Sequence, residues 1–144
     1  MAFLAGERIT AARLNRLQST TYSATGTGTL TGPVSNADVT DATITLTTET
    51  DGATYAAWCV WDVDLSSATT GLGFARLNVD GSLLNPLSTY ALDAATDRLT
   101  VPQNYGGTLA TAGTHTLKLV ATLVAGQQIL GVNTSILVKI TEVA

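Results

Sequence analysis

Apolar and polar positions alternate along most of this chain, and the period changes once. Near the N-terminus the spacing is helical: Leu14 and Leu17 sit three apart, Thr10 is a good N-cap, and Ala11 and Ala12 favour a first turn. Ile9 before the cap and Leu14 at the fourth helical position match a hydrophobic staple. The pattern predicts a short helix over Ala11–Gln18, too short to hold alone in water, so its apolar face must dock on the body, a sister subunit or a partner. From Tyr22 onward the period is two. Ala42–Thr48 carries Ile44 and Leu46 on one face. Thr54–Leu65 is the longest predicted strand, with Tyr55, Ala57, Cys59, Trp61 and Val63 on one side and Ala56, Trp58 and Val60 on the other. Both sides stay apolar until Asp62, which implies burial on both.

Further strands are predicted over Phe74–Asp80 and Ser82–Leu87, joined at Asp80-Gly81, a strong hairpin signal. Ser88–Val101 reads as one or two weaker strands and Tyr105–Gly113 as a loop or short strand. In His115–Leu123 the residues His115, Leu117, Leu119, Ala121 and Leu123 point inward. Ile129–Val132 and Ser135–Val143 complete the set. About eight strands and one helix predict an all-β fold, a single β-sandwich of the jelly-roll kind. The domain reading is an arm over residues 1–20 and a β-sandwich body over 21–144.

Composition sharpens this. At 144 residues the chain is one domain, long enough to bury a core without staples. Charged residues make up 12% and hydrophobic ones 45%, so part of the nominal surface is expected to be covered by something else. Threonine occurs 26 times, in places where Lys and Glu would be usual. Net charge is −4, which argues against nucleic acid as a partner. The charge is split: residues 1–16 carry Arg8, Arg13 and Arg16 against Glu7, while the rest is acidic. Two readings of the arm follow, a helix that caps the body or a basic docking arm whose contacts are Arg8, Ile9, Arg13, Leu14, Arg16 and Leu17. The first residues are too short and wrongly charged for a signal peptide, and no apolar run is long enough to cross a membrane, so synthesis and assembly in a cytoplasm are expected.

Catalytic chemistry is sought and not found. One cysteine and one histidine exclude a disulfide framework and multi-Cys or multi-His metal centres. Asp62-Val-Asp64 opens like a calcium loop but lacks glycine at the sixth position (Ser67) and an acid at the twelfth (Gly73), and reads as the solvated exit of a strand. No Gly-x-Ser-x-Gly, Walker lysine or His-Glu-x-x-His occurs. His115 reads as a packed histidine near the core edge or a symmetry axis, and Cys59 as a small core residue. The expectation is a non-enzyme with no cofactor, no metal and no membrane partner. Trp58, Val60 and His115 are the residues expected at an oligomer interface.

Two segments resemble a known group. Phe3–Leu17, FLAGERITAARLNRL, resembles the opening of small virion proteins of tailed bacteriophages, especially those of actinobacteria. Ala112–Ala121, AGTHTLKLVA, and Ser135–Val143, SILVKITEV, resemble the last strands of phage jelly-roll knobs. The resemblance covers about 35 residues at the two ends and contains no catalytic signature. It implies a homotrimeric knob on a virion. Two functions follow from it: a capsid decoration or cement protein bound to the major capsid protein, or a tail-associated receptor-binding knob. The absence of a shaft, the small size and the basic arm on an acidic body favour the first.

Overall fold

The fold is described from a computed structural model, over residues 10–143. Helix α1 (Ala11–Leu17) starts where the sequence places it: Thr10 is extended, and its side chain accepts the Arg13 N–H at 3.2 Å. The helix stops one residue short of the expected end, at a Gln18 that is already extended.

Eleven strands follow, where about eight are expected: β1 (Thr20–Thr25), β2 (Thr29–Thr31), β3 (Val34–Thr48), β4 (Ala53–Leu65), β5 (Leu72–Val79), β6 (Ser82–Leu83), β7 (Ser88–Ala91), β8 (Arg98–Leu109), β9 (Gly113–Leu123), β10 (Gln127–Leu130) and β11 (Ser135–Thr141). All pairings are antiparallel and fall into two sheets. In the six-stranded sheet β4 is central. β8 pairs with it along one edge, β11 and β10 share the other edge, and β1 and β2 lie outside those two. The five-stranded sheet runs β3-β9-β5, with β6 and β7 beside β5.

The inner faces make the core of this β-sandwich. Tyr55, Ala57, Cys59, Trp61 and Val63 of β4, with Ile136, Val138 and Ile140 of β11 beside them, oppose Leu117, Leu119, Ala121 and Leu123 of β9 and Ile44, Leu46 and Leu77. Each set follows the two-residue alternation of its strand. The Asp80-Gly81 hairpin forms as expected, with φ values of 51° and 85°, the left-handed pair that a tight two-residue turn requires.

Two differences from the sequence reading have physical causes. β3 begins at Val34 rather than Ala42, because register shifts between Val34 and Ala37 and between Asp38 and Thr43 break the alternation that identifies a strand. β8 is one twelve-residue strand, where the sequence reading ends a weaker strand at Val101 and has a loop or short strand over Tyr105–Gly113. Pro102 and Gly106-Gly107 weaken its local preference, but it pairs with β4 in unbroken register from Arg98 to Leu109. Gly107 is needed there, since a Cβ would come within 2.8 Å of the Tyr55 side chain.

Candidate functional site: two outer faces and an arm

On the outer side of β4, alternation brings Ala56, Trp58 and Val60 to the surface of the six-stranded sheet. Register sets Trp58 between Leu137 of β11 and Asn104 of β8, Val60 between Ser135 and Pro102, and Ala56 between Lys139 and Gly106. Trp58 and Leu137 are 43% and 42% exposed, a directly opposed aromatic–aliphatic pair turned outward. Lys139 is the one charge among these nine positions. The two tryptophans of β4 therefore divide: Trp61 is fully buried in the core and Trp58 presents its ring to the outside.

This face ends in a polar network. Asp62, expected as a solvated strand exit, is instead 2% exposed. Arg98 clasps both its carboxylate oxygens, with Nε donating to Oδ1 at 2.9 Å and Nη2 donating to Oδ2. Asn133 Nδ2 donates to Oδ2 at 2.7 Å. The Arg98 bond, and after it the Asn133 bond and the arginine charge, outweigh burial and hold the Asp62 carboxyl below its ordinary value. Nothing local in the sequence marks this pair: it depends on the β4–β8 register.

His115 does not join Trp58 and Val60. It lies in β9 of the other sheet, faces inward and is 5% exposed, so the three residues expected at one interface lie on two different sheets. Its ring nitrogens both meet acceptors, Asp80 Oδ2 at 2.6 Å from Nδ1 and the Thr111 carbonyl at 2.9 Å from Nε2. An imidazolium satisfies both as donor. Burial opposes the charge, but the bond to Asp80, the Thr111 carbonyl and the Asp80 charge together raise the His115 pKa. With Nε2 directed at a backbone carbonyl, this His–Asp pair has no ring nitrogen left to activate a nucleophile. Cys59 is equally unsuited to chemistry: burial pushes its thiol up to about 12. Among the described residues no group of His, Cys, Asp or Glu could hold a metal ion, and no helix is long and apolar enough to cross a membrane.

Helix α1 turns Ala12, Asn15 and Gln18 toward a groove of about 400 Å³ that Tyr22, Glu49, Ile140 and Glu142 also line. Leu14 and Leu17 do not line that groove; Leu14 is 50% exposed and Leu17 half-buried. Arg13 is half-buried; Arg8 and Ile9 lie outside the described residues, as does the Arg16 side chain.

No family model matches the sequence, and no curated protein does. Among solved structures, dimeric latent PorU from Porphyromonas gingivalis superposes with a TM-score of 0.53 at 12% identity, over 86% of this chain and 13% of that one. The chain therefore spans a small part of PorU's length. The CBM36-1 domain of a multidomain xylanase from the hindgut metagenome of Trinervitermes trinervoides gives 0.40 at 14% identity, over 88% and 99% of the two chains. The infectious bursal disease virus Gt strain gives 0.42 at 14%, over 88% and 38%. At such identities the likeness is one of fold. The class is a two-sheet antiparallel β-sandwich of the jelly-roll type with one short helix.

Proposed function

We propose that this protein is a virion structural protein of a tailed bacteriophage, a capsid decoration or cement protein that assembles as a homotrimer on the head shell. The observation that carries this reading is the outward apolar face on which Trp58, Leu137 and Val60 stand side by side across β4 and β11. Interface cores are depleted in charge and enriched in aromatic side chains, and this face has that composition. The half-exposed Leu14, on a helix whose sequence resembles phage virion openings, supplies a second contact, directed at the major capsid protein.

A tail-associated receptor-binding knob is the second reading. Trp58 favours it, because an exposed indole beside the amide of Asn104 could also stack on a host-surface glycan. Labelling the protein on purified virions and counting its copies separates the two. Hundreds of copies on the head are expected; a few copies at the tail would overturn decoration in favour of the knob.

A further inference from the structure

Covalent chemistry is open to this chain at two of its turns. An aspartate followed by glycine can close a succinimide ring, because glycine has no side chain to keep its nitrogen from the neighbouring carboxyl carbon. The sequence has two such pairs, Asp51-Gly52 and Asp80-Gly81, and no Asn-Gly. Asp51-Gly52 joins β3 to β4, and Asp80-Gly81 joins β5 to β6.

The two glycine amides are tied alike. Gly52 N–H donates to the Leu109 carbonyl at 3.0 Å, and Gly81 N–H donates to Asn78 Oδ1 at 2.9 Å. Both glycines stand in the left-handed region, at φ 79° and 85°. Both have room around them: an added Cβ would meet Val143 at 4.0 Å in the first case and nothing in the second. The attacking nitrogens therefore do not distinguish the turns.

The carboxyl groups do. Asp80 is fastened to β9 by both oxygens: Oδ2 lies 2.6 Å from His115 Nδ1, and Oδ1 accepts the Thr116 N–H at 2.8 Å. Ring closure has to break both bonds, one of them charge-assisted. Burial opposes the Asp80 charge, but the His115 and Thr116 bonds and the His115 charge hold the carboxyl below its ordinary value, and a carboxylate has no hydroxyl to lose. Asp51 is exposed. Among the described residues it has one hydrogen bond, from the Ala112 N–H to Oδ1 at 2.6 Å, which leaves Oδ2 without a protein donor.

We propose that Asp51 is a modification site that converts to isoaspartate, and that the anchoring of Asp80 to β9 spares the other Asp-Gly turn. The Gly52 nitrogen bonds to Asp51 Cγ, and the carboxyl hydroxyl leaves with the amide proton as water. A second water then opens the succinimide, its hydroxyl going to a carbonyl carbon and its proton to the nitrogen. Breaking the new Cγ–N bond restores Asp51. Breaking the original bond, from the Asp51 carbonyl carbon to the same nitrogen, leaves the chain running through Cγ. The product keeps the mass of the starting chain and has one extra backbone carbon between β3 and β4. The chemistry needs only water, so it proceeds on or off a virion.

The test is prolonged incubation of the full chain at neutral pH in heavy-oxygen water, followed by peptide mapping that separates isoaspartyl from aspartyl peptides. The urea-denatured chain supplies the rate of each pair without folding. Isoaspartate should accumulate at Asp51 and carry heavy oxygen from the ring opening. Folding should slow conversion at Asp80 at least about tenfold more than at Asp51, the factor that one charge-assisted bond supplies. His115→Gln should raise the rate at Asp80 by about fivefold, the difference between a charge-assisted bond and a neutral one, and leave Asp51 unchanged. Where Asp51 speeds up as well, the variant has lost its fold, and the wild-type ratio decides. Equal protection of the two sites in the folded wild type would overturn the proposal. So would a folded chain that forms no isoaspartate at Asp51 in a time that converts the denatured one. An unchanged Asp80 rate in folded His115→Gln would overturn the part assigned to the His115 anchor.

Discussion

The two outer faces of the sandwich are made of the same kind of strand and differ in what they do with charge. On the five-stranded sheet, Lys118 Nζ donates to Asp38 Oδ2 at 2.6 Å, and Arg76 donates to Asn36 Oδ1 at 3.1 and 2.8 Å through Nε and Nη2. Exposed Thr43, Thr45 and Thr47 fill β3 between them. On the six-stranded sheet, Trp58, Leu137, Val60, Ala56 and Pro102 occupy the equivalent middle positions. A chain with only 12% charged residues has few to place, and the middle of the six-stranded face receives only Lys139, its Asp62–Arg98 pair lying at the end of that face. The five-stranded face thus pairs its charges in mid-sheet, while the six-stranded face, on the reading proposed above, is the one turned to a partner.

The largest expected effect breaks that contrast directly. Trp58→Glu puts a charge at the centre of the apolar face, and buried aromatic anchors of interfaces are commonly worth about 2–4 kcal/mol. Sedimentation of the variant should show loss of the oligomer. Thr45→Glu, on the opposite face, should leave mass and stability unchanged to within about 0.5 kcal/mol. Equal effects of the two substitutions would mean that the faces are not different surfaces.

A second substitution asks whether the arm and the apolar face serve different partners. Leu14→Asp removes an apolar contact worth roughly 1.5–3 kcal/mol if that leucine is covered on the virion. Surface ion pairs in general contribute up to about 1 kcal/mol each and weaken with salt. Leu14→Asp should therefore abolish virion attachment while the oligomer persists, and the Arg13→Ala, Arg16→Ala double variant should only weaken attachment. Detachment of the arginine variant with Leu14→Asp still bound would make the arm an electrostatic tether.

Where local chemistry decides the structure, the sequence is readable. The Thr10 cap, the Asp80-Gly81 turn, the inward row from His115 to Leu123 and the core side of β4 all follow from neighbours within a few residues. The second apolar side of β4 is also visible, although its exposure is not: alternation shows that Trp58 and Trp61 point in opposite directions, but not which direction is solvent. β8 is hidden because Pro102 and two glycines weaken its local preference, while pairing with β4 over its whole length overrides it. The same register brings Arg98 to Asp62 across 36 positions, which no spacing rule anticipates. His115 is legible as a packed histidine; its partner Asp80 becomes visible only once β5 is known to lie beside β9.

The next effect, of intermediate size, belongs to that histidine and sharpens the comparison, because it acts on the five-stranded sheet alone. The folded His115 pKa lies above the ordinary 6.5, so its contribution is fully present below 6.5 and is lost as pH rises through the folded value. Asp80 runs the other way. Burial opposes its charge, but the His115 bond, the Thr116 N–H and the His115 charge hold its pKa below 3.8, so its contribution is present above 3.8 and is lost as pH falls through the folded value. Thermal melting should thus be highest between these limits and decline on the alkaline side. His115→Gln should flatten that decline and cost about 1–2 kcal/mol, at the low end for charge-assisted bonds because Asp80 is partly in water. An alkaline decline of the same size in His115→Gln would place its origin elsewhere.

The smallest effect is the one expected of the solvent-facing side itself. Lys118 and Asp38 pair at 2.6 Å, but their side chains are 30% and 52% exposed. A pair so open to water gains little, because solvent screens the attraction and two flexible side chains lose freedom to hold it. Lys118→Ala should lower stability by at most about 1 kcal/mol, and the difference from the wild type should shrink in molar salt. It should leave the dissociation constant of the proposed oligomer unchanged, because the contact proposed above lies on the other face. If Lys118→Ala dissociates the oligomer while Trp58→Glu does not, the copies meet through the charged face, and the assignment of the two surfaces is inverted.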